Sequence, residues 1–387
     1  MIQLSDRSRV EPFHAMDVLA AANERKKSGV EVGMLCVGQP GALAPRSARD
    51  AAAKLLETGP IGYTDANGIA ALRERLARHY EERYCVNVDP ARIFITTGSS
   101  AAFNLAFLAL FNAGDGVAIA CPGYPAYRNI LTALSLKPIE IETGPADRHT
   151  MSADLLAKAF GSQDFAGTLV ASPANPSGTM MTPDALRDLC HWCDANDRVM
   201  ISDEIYHGLT YEADTGIREA TALQFSQNAI IINSFSKYFC MTGWRIGWMV
   251  LPEPLVRTFE CLSQSLYISP PSLSQTAALH ALDATDELEE VKEVYRRNRA
   301  LMLTELPRLG FKDILPVDGA FYAYADTSAL ANDSFEFAYR MLNEANVAAT
   351  PGKDFDPVSG HNRMRLSFAG TEDEIAWSLE QLAKWLG

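Results

Sequence analysis

Short apolar runs alternate with helical stretches through the middle of the chain. The runs span residues 92–96, 116–121, 136–141, 167–171, 198–202 and 229–232. Runs that are short and apolar throughout are typical of strands buried on both faces, as in a parallel sheet covered by crossover helices. The pattern therefore predicts an α/β fold with a mostly parallel central sheet flanked by helices.

The pattern changes near residue 286. A long charged helix is predicted there, followed by short strands and a last helix, at 286–308, 319–324, 347–350, 363–368 and 372–385. With 387 residues, 48% of them hydrophobic, the chain is longer than one core usually covers. We expect a smaller α+β domain at 286–387, a large domain at 46–285, and an N-terminal segment at 1–45 that joins the small domain.

Charge and hydropathy restrict the partners and the compartment. The net charge of -14 disfavours nucleic acid or an anionic membrane as a partner in bulk terms. Residues 1–10 are polar and lack an apolar signal core, and the apolar stretch at 105–111 is too short to span a bilayer. We expect a cytoplasmic protein that binds neither nucleic acid nor membrane.

The 7 cysteines are odd in number and scattered, which is typical of reduced thiols in a cytosolic chain. Cys190 and Cys193 form a Cys-x-x-Cys motif, for which a redox or zinc site is the functional alternative. No second Cys or His pair follows at zinc spacing, and the motif lies on a predicted amphipathic helix, 183–196. Structural packing is favoured, and no metal site is predicted.

One stretch, residues 230–248, places a single lysine among small hydroxyl side chains. Ser234 and Ser236 follow a run of isoleucines and precede Lys237, and Arg245 lies eight residues further on. Hydroxyls and a guanidinium bind phosphate, and a desolvated lysine can form a Schiff base. An ordinary surface lysine is the alternative, but the aromatic neighbours of Lys237 argue against a plain exposed loop. The stretch is suited to a phosphorylated aldehyde.

Further polar residues follow the other predicted strands, where ligands bind in open α/β sheets. They include Ser99, Tyr124, Asn175 and Asp203. The Gly98-Ser99-Ser100 turn opens a helix, so it is either an anion site or a simple helix cap. It matches neither a Walker loop nor a dinucleotide-binding fingerprint.

Together these residues resemble the class I/II aminotransferases, which are fold type I pyridoxal-phosphate enzymes. The resemblance covers almost the whole chain. It rests on ordered blocks: Tyr63-Thr64 with Gly68, Gly98-Ser99-Ser100, Pro122-Gly123-Tyr124-Pro125, Asn175-Pro176-Ser177-Gly178, Asp203-Glu204-Ile205-Tyr206, Ser234-Phe235-Ser236-Lys237 with Arg245, and Arg365-Leu366-Ser367.

The resemblance implies a role for each matching residue toward pyridoxal 5'-phosphate. Lys237 resembles the Schiff-base lysine and proton shuttle, and Asp203 the carboxylate that keeps the pyridine nitrogen protonated. Asn175 and Tyr206 are similar to the donors to the phenolic oxygen, and Tyr124 to the ring stacked on the pyridine. Tyr206 is also counted with Lys237 and Asp203 as catalytic.

The phosphate and the substrate carboxylate have their own implied sites. The phosphate group would be held by hydroxyls and a guanidinium, at Ser99, Ser100, Ser234, Ser236 and Arg245, with Tyr63 reaching it from a neighbouring subunit. The substrate α-carboxylate would be held by Arg365, with Gly38 and Asn175 beside it. The resemblance therefore implies a homodimer with shared active sites.

The implied activity is the transfer of an amino group between an L-α-amino acid and a 2-oxo acid by a ping-pong mechanism. A carbon–sulfur β-lyase on the same cofactor is the alternative, because pocket geometry decides the fate of the carbanion. A cofactor-binding regulator is a third, less favoured interpretation. Relatives that prefer dicarboxylates often carry an arginine near residues 265–268, and none occurs there. A neutral or broad donor range is thus as well supported as an aspartate-specific one.

Overall fold

The computed structural model describes residues 2–315 and 317–387. Its α-helices are α1 His14–Lys27, α2 Arg46–Thr58, α3 Ala70–Tyr84, α4 Gly98–Leu110, α5 Pro125–Ala133, α6 Ala153–Phe160, α7 Pro183–Ala195, α8 Glu212–Thr215, α9 Val256–Leu266, α10 Ser272–Ala281, α11 Thr285–Arg308, α12 Ser334–Glu344 and α13 Glu372–Leu386. Its strands are β1 Gly33–Met34, β2 Ile93–Thr96, β3 Gly116–Cys121, β4 Lys137–Glu142, β5 Gly167–Ala171, β6 Val199–Asp203, β7 Ile230–Ser234, β8 Gly247–Val250, β9 Tyr322–Asp326, β10 Val347–Ala348, β11 Thr350–Pro351 and β12 Arg363–Ser367.

The central sheet has seven strands in the order β2-β8-β7-β6-β5-β3-β4. Strands β7, β6, β5, β3 and β4 run parallel, and β8 runs antiparallel to both β2 and β7. Successive residues on one strand pack into different clusters, as Ile231 and Ile232 do, so helices cover both faces. The predicted α/β fold with a mostly parallel sheet is confirmed.

The register of the central strands places chemistry-bearing residues at one edge of the sheet. Ala171 at the end of β5 is level with Asp203 at the end of β6, and Asp203 is level with Ile232 in β7. Strand β7 then ends at Ser234, so Ser236 and Lys237 emerge just beyond it. Because the three strands are parallel, their following residues share one face of the molecule.

Two smaller sheets are formed mainly by the C-terminal third. One is antiparallel, in the order β11-β12-β9, and the other pairs β1 with β10 in parallel. The N-terminal part is also attached through Asp354, whose carboxylate accepts bonds from the backbone N–H groups of His14 (3.0 Å) and Ala15 (2.6 Å). These contacts attach the N-terminal segment to the C-terminal third of the chain, and the division into domains stays a prediction.

Several elements differ from the sequence-based expectations. Strand β8 and helices α9 and α10 lie in a part of the chain that the apolar pattern left unassigned. The strand expected at 347–350 is divided into β10 and β11, which pair with different sheets. None of the helices described here is long and apolar enough to cross a bilayer.

Candidate active site

A cavity of about 350 Å³ lies between the edge of the central sheet and the small antiparallel sheet. It brings together most of the residues singled out from the sequence: Gly38, Ser99, Ser100, Tyr124, Asn175, Asp203, Tyr206, Ser236, Lys237, Arg245 and Arg365. These residues come from both ends of the chain. Strand ends and the start of α4 provide one wall, and the small sheet with the N-terminal segment provides the other.

Lys237 extends from the loop after β7 into this cavity. Its Nζ donates a hydrogen bond to the backbone oxygen of Gly38 at 2.6 Å and lies 5.8 Å from the centre of the Tyr206 ring. Burial, together with the cation of Arg365, lowers the pKa of Lys237 to about 8, although the Asp203 carboxylate opposes the shift. A substantial neutral fraction near pH 8 is what a nucleophilic or proton-accepting amine needs.

Asp203 ends strand β6 and is buried beneath the cavity. One carboxylate oxygen accepts a hydrogen bond from the Tyr127 hydroxyl, and the other accepts one from the backbone N–H of Ile205 at 3.1 Å. Burial raises the pKa of Asp203 to about 6, against the opposing effect of these two donors. Near neutral pH the carboxylate is therefore mainly ionised and is available to a cationic partner.

Tyr206, Asn175 and Tyr124 line the same cavity as Asp203. The Tyr206 hydroxyl lies 2.8 Å from the hydroxyl of Tyr322. Asn175 accepts a bond from Arg365 through its Oδ1, with an N···O distance of 3.0 Å. Tyr124 lies edge-on to Tyr127, with ring centres 5.3 Å apart, and precedes α5. A flat ligand lying above Asp203 would therefore meet one aromatic ring and two polar side chains.

The opposite end of the cavity is suited to an anion. Helix α4 begins at Gly98, so the N–H groups of its first turn, at Ser99 and Ser100, are available at the positive end of the helix. Arg245 lies across from this turn. Gly98 has φ +71°, and a Cβ there would come within 2.5 Å of the Arg245 guanidinium. Glycine is needed at this position because of the positive φ and because a Cβ would clash with Arg245.

Arg365 is a buried cation on strand β12. Its guanidinium donates to Cys36 O at 2.9 Å and to Thr350 Oγ1 at 3.1 Å, in addition to Asn175. The rings of Tyr322 and Phe355 flank it, with centres 4.3 and 4.9 Å from Cζ. A guanidinium held in this way is prepared to bind a planar carboxylate.

The structure places two predicted site residues away from this cavity wall. The Ser234 hydroxyl lies behind Ser236, because it points back toward the strand β8 side of the sheet. It donates to Ile246 O at 3.0 Å and lies 2.8 Å from Ser236 Oγ. Within this chain it supports Ser236 and does not line the cavity. Tyr63 is 83% exposed on the surface and does not line its own chain's cavity.

Other cavity residues were not found from the sequence. Tyr127 bonds Asp203, Tyr322 bonds Tyr206, and Phe13 packs edge-on against Tyr124 with ring centres 6.2 Å apart. Tyr127 lies on α5, three residues after Tyr124, which immediately precedes that helix, and this spacing could have indicated Tyr127. Tyr322 and Phe13 meet the site only through tertiary packing.

In the part of the chain that is described, no group of three or more His, Cys, Asp or Glu side chains could hold a metal ion. Cys190 and Cys193 both lie buried on α7 as free thiols. Burial raises the pKa of the Cys193 thiol to about 12, which makes a reactive thiolate unfavourable.

Known proteins show the same fold and related sequences. The chain is 45% identical to a valine–pyruvate aminotransferase of Mycobacterium tuberculosis, over 98% of this chain and 97% of that one. It is 33% identical to an aspartate/prephenate aminotransferase of Thermus thermophilus, over 98% and 97%. A crystal structure of an aminotransferase from Mycobacterium tuberculosis superposes with a TM-score of 0.97 at 44% identity, covering 100% of this chain and 99% of the other.

The family profile described as Aminotransferase class I and II matches residues 31–382, nearly the whole chain. These relatives are named aminotransferases, and none of them supports the β-lyase alternative. Together with the cavity geometry, the matches show that this chain is an enzyme belonging to the class I and II aminotransferases, which transfer an amino group between an amino acid and a 2-oxo acid.

Proposed function

We propose that the cavity binds pyridoxal 5'-phosphate, with Lys237 as its point of attachment. The observation that carries the proposal is that the amine of Lys237 and the carboxylate of Asp203 line one cavity with a group of phosphate donors at its end. A volume of about 350 Å³ suits a small aromatic cofactor and a small substrate.

The residues present fit this cofactor at each of its polar groups. Asp203 would pair with the ring nitrogen, and Tyr124 would stack on the ring. Asn175 and Tyr206 would donate to the phenolic oxygen. The phosphate would lie at the start of α4, between Ser99, Ser100 and Arg245, with Ser236 beside it. A side chain at Gly98 would fill part of this cradle, since its Cβ would meet Arg245 at 2.5 Å.

Pyridoxal phosphate supplies an aldehyde carbon and a ring that accepts the electron pair released at the substrate Cα. Lys237 would be the base that takes the Cα proton and delivers it to the carbon that carries the cofactor's aldehyde, because burial keeps part of its amine neutral. Asp203 would keep the ring nitrogen protonated, since pairing with a cation favours its ionised form. Asp203 is held at the end of β6 and Lys237 on the loop that follows the neighbouring strand β7, which maintains their spacing.

Arg365 would bind the substrate α-carboxylate and thereby orient Cα toward Lys237. The flanking rings and the bond to Asn175 keep its guanidinium plane fixed. Gly38 lies beside it, where a Cβ would come within 2.5 Å of the Tyr322 hydroxyl, so only glycine allows this approach. Two substrates would use this site in turn, in a ping-pong sequence.

We further propose a donor with a neutral, apolar side chain. Much of the remaining cavity wall is apolar and includes Phe13, Met16, Leu19, Val37 and Ile130, with the uncharged Gln39 and Thr242 beside them. The cations among the described lining residues are Lys237, Arg245 and Arg365, which are assigned above to other groups. A second substrate carboxylate would therefore lie on apolar surface without a counter-ion, which is unfavourable.

A second subunit would complete the site. Tyr63 is 83% exposed here, beside other exposed apolar residues such as Ile61 and Ile268, at 52% and 53%. Such a surface is expected of an interface. Tyr63 of a second subunit would then donate to the phosphate, and a fully active monomer in sedimentation would contradict this.

The free cysteines are consistent with a cytoplasmic location, which cell fractionation would test.

The decisive experiment is reduction of the purified enzyme with borohydride after loading with pyridoxal phosphate. The reduced cofactor should be recovered covalently bound to the peptide that contains Lys237. This attachment should be lost in Lys237→Ala. The matched control is Lys292→Ala, whose lysine lies outside the cavity. Labelling of another lysine would overturn the assignment. A screen of amino acids in the half-reaction, with valine and aspartate as the first pair, tests the proposed donor class.

A further inference from the structure

Tyr322 connects the two ends of the cavity that the proposed function treats separately. It begins strand β9 and is 1% exposed. Its hydroxyl lies 2.8 Å from the hydroxyl of Tyr206, and its ring lies 4.3 Å from the guanidinium carbon of Arg365. One side chain thus touches both the proposed cofactor donor and the proposed carboxylate-binding residue.

The backbone register holds Tyr322 in this position. Strands β9 and β12 are antiparallel, with Tyr322 opposite Ser367 and Tyr324 opposite Arg365. Tyr322 and Arg365 are therefore diagonal neighbours on one face of the sheet, within reach of long side chains. The close approach of Gly38 to the Tyr322 hydroxyl further limits movement of the ring.

The two contacts of Tyr322 have different chemical consequences. Its ring face attracts the guanidinium, whose carbon lies 4.3 Å from the ring centre, and so restricts the orientations in which Arg365 can bind a carboxylate. Its hydroxyl can donate to the oxygen of Tyr206, and a hydrogen bond received by a hydroxyl strengthens the bond that hydroxyl donates. The ring acts on substrate carboxylate binding, and the hydroxyl acts on the phenolic oxygen of the cofactor.

We propose that Tyr322 is a positioning residue that orients Arg365 with its ring and Tyr206 with its hydroxyl. The proposal rests on the proposed function, because both targets have roles only toward that cofactor and substrate. Two variants separate the two contacts. Tyr322→Phe keeps the ring and removes the hydroxyl, whereas Tyr322→Leu removes both.

The hydroxyl is tested by the pH dependence of the visible absorption band of the pyridoxal-phosphate-loaded enzyme. Tyr322→Phe should move the midpoint of that titration to higher pH, because Tyr206 becomes a weaker donor to the phenolic oxygen. Binding of 3-methylbutanoate, measured by the change in this band, should stay within about twofold of the unmodified enzyme, because the ring remains. An unchanged midpoint would overturn the role of the hydroxyl.

The ring is tested by carboxylate affinity. Tyr322→Leu should weaken 3-methylbutanoate binding by about 2- to 30-fold relative to Tyr322→Phe, the range expected for loss of a cation–π contact. It should raise the KM for the amino donor by a similar factor. Equal affinities in the Phe and Leu variants would overturn the role of the ring.

Tyr324→Phe is the matched control. Tyr324 is two residues further along β9 on the same face and is equally buried, but its hydroxyl has no hydrogen-bond partner among the described residues and it does not line the cavity. It should change neither the midpoint nor the affinity. If Lys237 carries the cofactor and Tyr322 variants behave like this control, then only the inference about Tyr322 fails. If borohydride labels another lysine, the proposed function itself fails.

Discussion

The two ends of the cavity are built in different ways. The proposed cofactor end uses residues that end a strand, lie on the loop after one or open a helix, such as Asp203, Lys237 and Ser99. The proposed substrate end joins Arg365 and Tyr322 of the small sheet to the backbone of Cys36, more than 280 residues earlier in the chain. The cofactor end therefore depends on local strand-to-loop geometry, whereas the substrate end depends on packing between distant segments.

This contrast has a consequence for mutations. Substitutions at the cofactor end should alter kcat or the affinity for the cofactor, because each side chain there is supported by its own local backbone. Changes at the substrate end should alter substrate affinity, because Arg365 is oriented by several neighbours at once. The bond between Asn175 and Arg365, at 3.0 Å, is a direct link between the two ends.

The largest effect is expected for Asp203→Ala. It should lower kcat by about 10³-fold, because an unpaired ring nitrogen loses its proton and becomes a poor electron acceptor. Borohydride should still fix the cofactor on Lys237, since that lysine lies on the loop after β7 and Asp203 on β6. Asp164→Ala, at an exposed carboxylate 84% accessible to solvent, is the control for kcat. Near-normal turnover of Asp203→Ala would contradict the assigned role.

The next largest effect is expected for Arg365→Leu. It should raise the KM for the amino donor by roughly 10²-fold, because a charge-assisted pair with the carboxylate is lost. The visible band of the loaded enzyme should remain. Arg363→Leu is a matched control on the same strand, since Arg363 lies over Tyr324 and does not line the cavity. Equal KM values in Arg365→Leu and Arg363→Leu would contradict the assignment of Arg365 to the substrate end of the cavity.

A smaller effect separates the two serines that precede Lys237. Ser236→Ala should weaken pyridoxal phosphate binding to the cofactor-free enzyme by roughly 10- to 100-fold, the range for one hydrogen bond to a charged group. Ser234→Ala should weaken it less, because the Ser234 hydroxyl bonds Ile246 O and Ser236. Fluorescence titration measures both dissociation constants. A larger loss of affinity in Ser234→Ala than in Ser236→Ala would show that Ser234 contacts the phosphate, as the family resemblance implies and this geometry does not.

The smallest effect concerns pH. The pKa of Lys237 is lowered to about 8, so its neutral fraction increases about tenfold between about pH 7 and pH 9 and then levels off. The rate of covalent cofactor attachment to the cofactor-free enzyme should follow this curve. N-acetyl-lysine methyl amide in solution, with an ordinary pKa of about 10.4, should instead gain nearly 100-fold over the same range. If the enzyme and the free lysine derivative gained rate by the same factor over this range, the pKa of Lys237 would not be lowered.

The contrast between the two ends also explains which site residues could be predicted from the sequence. Asp203, Lys237 and Ser99 were indicated by polar residues directly after apolar runs, and the structure places all three on the cavity. Arg365 and Gly38 were indicated only by resemblance. Tyr322 was missed, because an aromatic residue in a buried strand has no local feature that separates a packing role from a positioning one. Ser234 was placed on the phosphate both by its hydroxyl beside Lys237 and by resemblance, whereas in the structure that hydroxyl points toward Ile246.

The sequence by itself determined the α/β architecture and the position of the cavity along the chain. Alternating apolar runs and helices permit few other arrangements, and the ends of parallel strands share one edge. Only the tertiary structure decided how Arg365 is oriented, which serine faces the cavity and where Tyr322 contacts the site. These features depend on side-chain packing between segments far apart in the chain, and a linear pattern carries no record of such contacts.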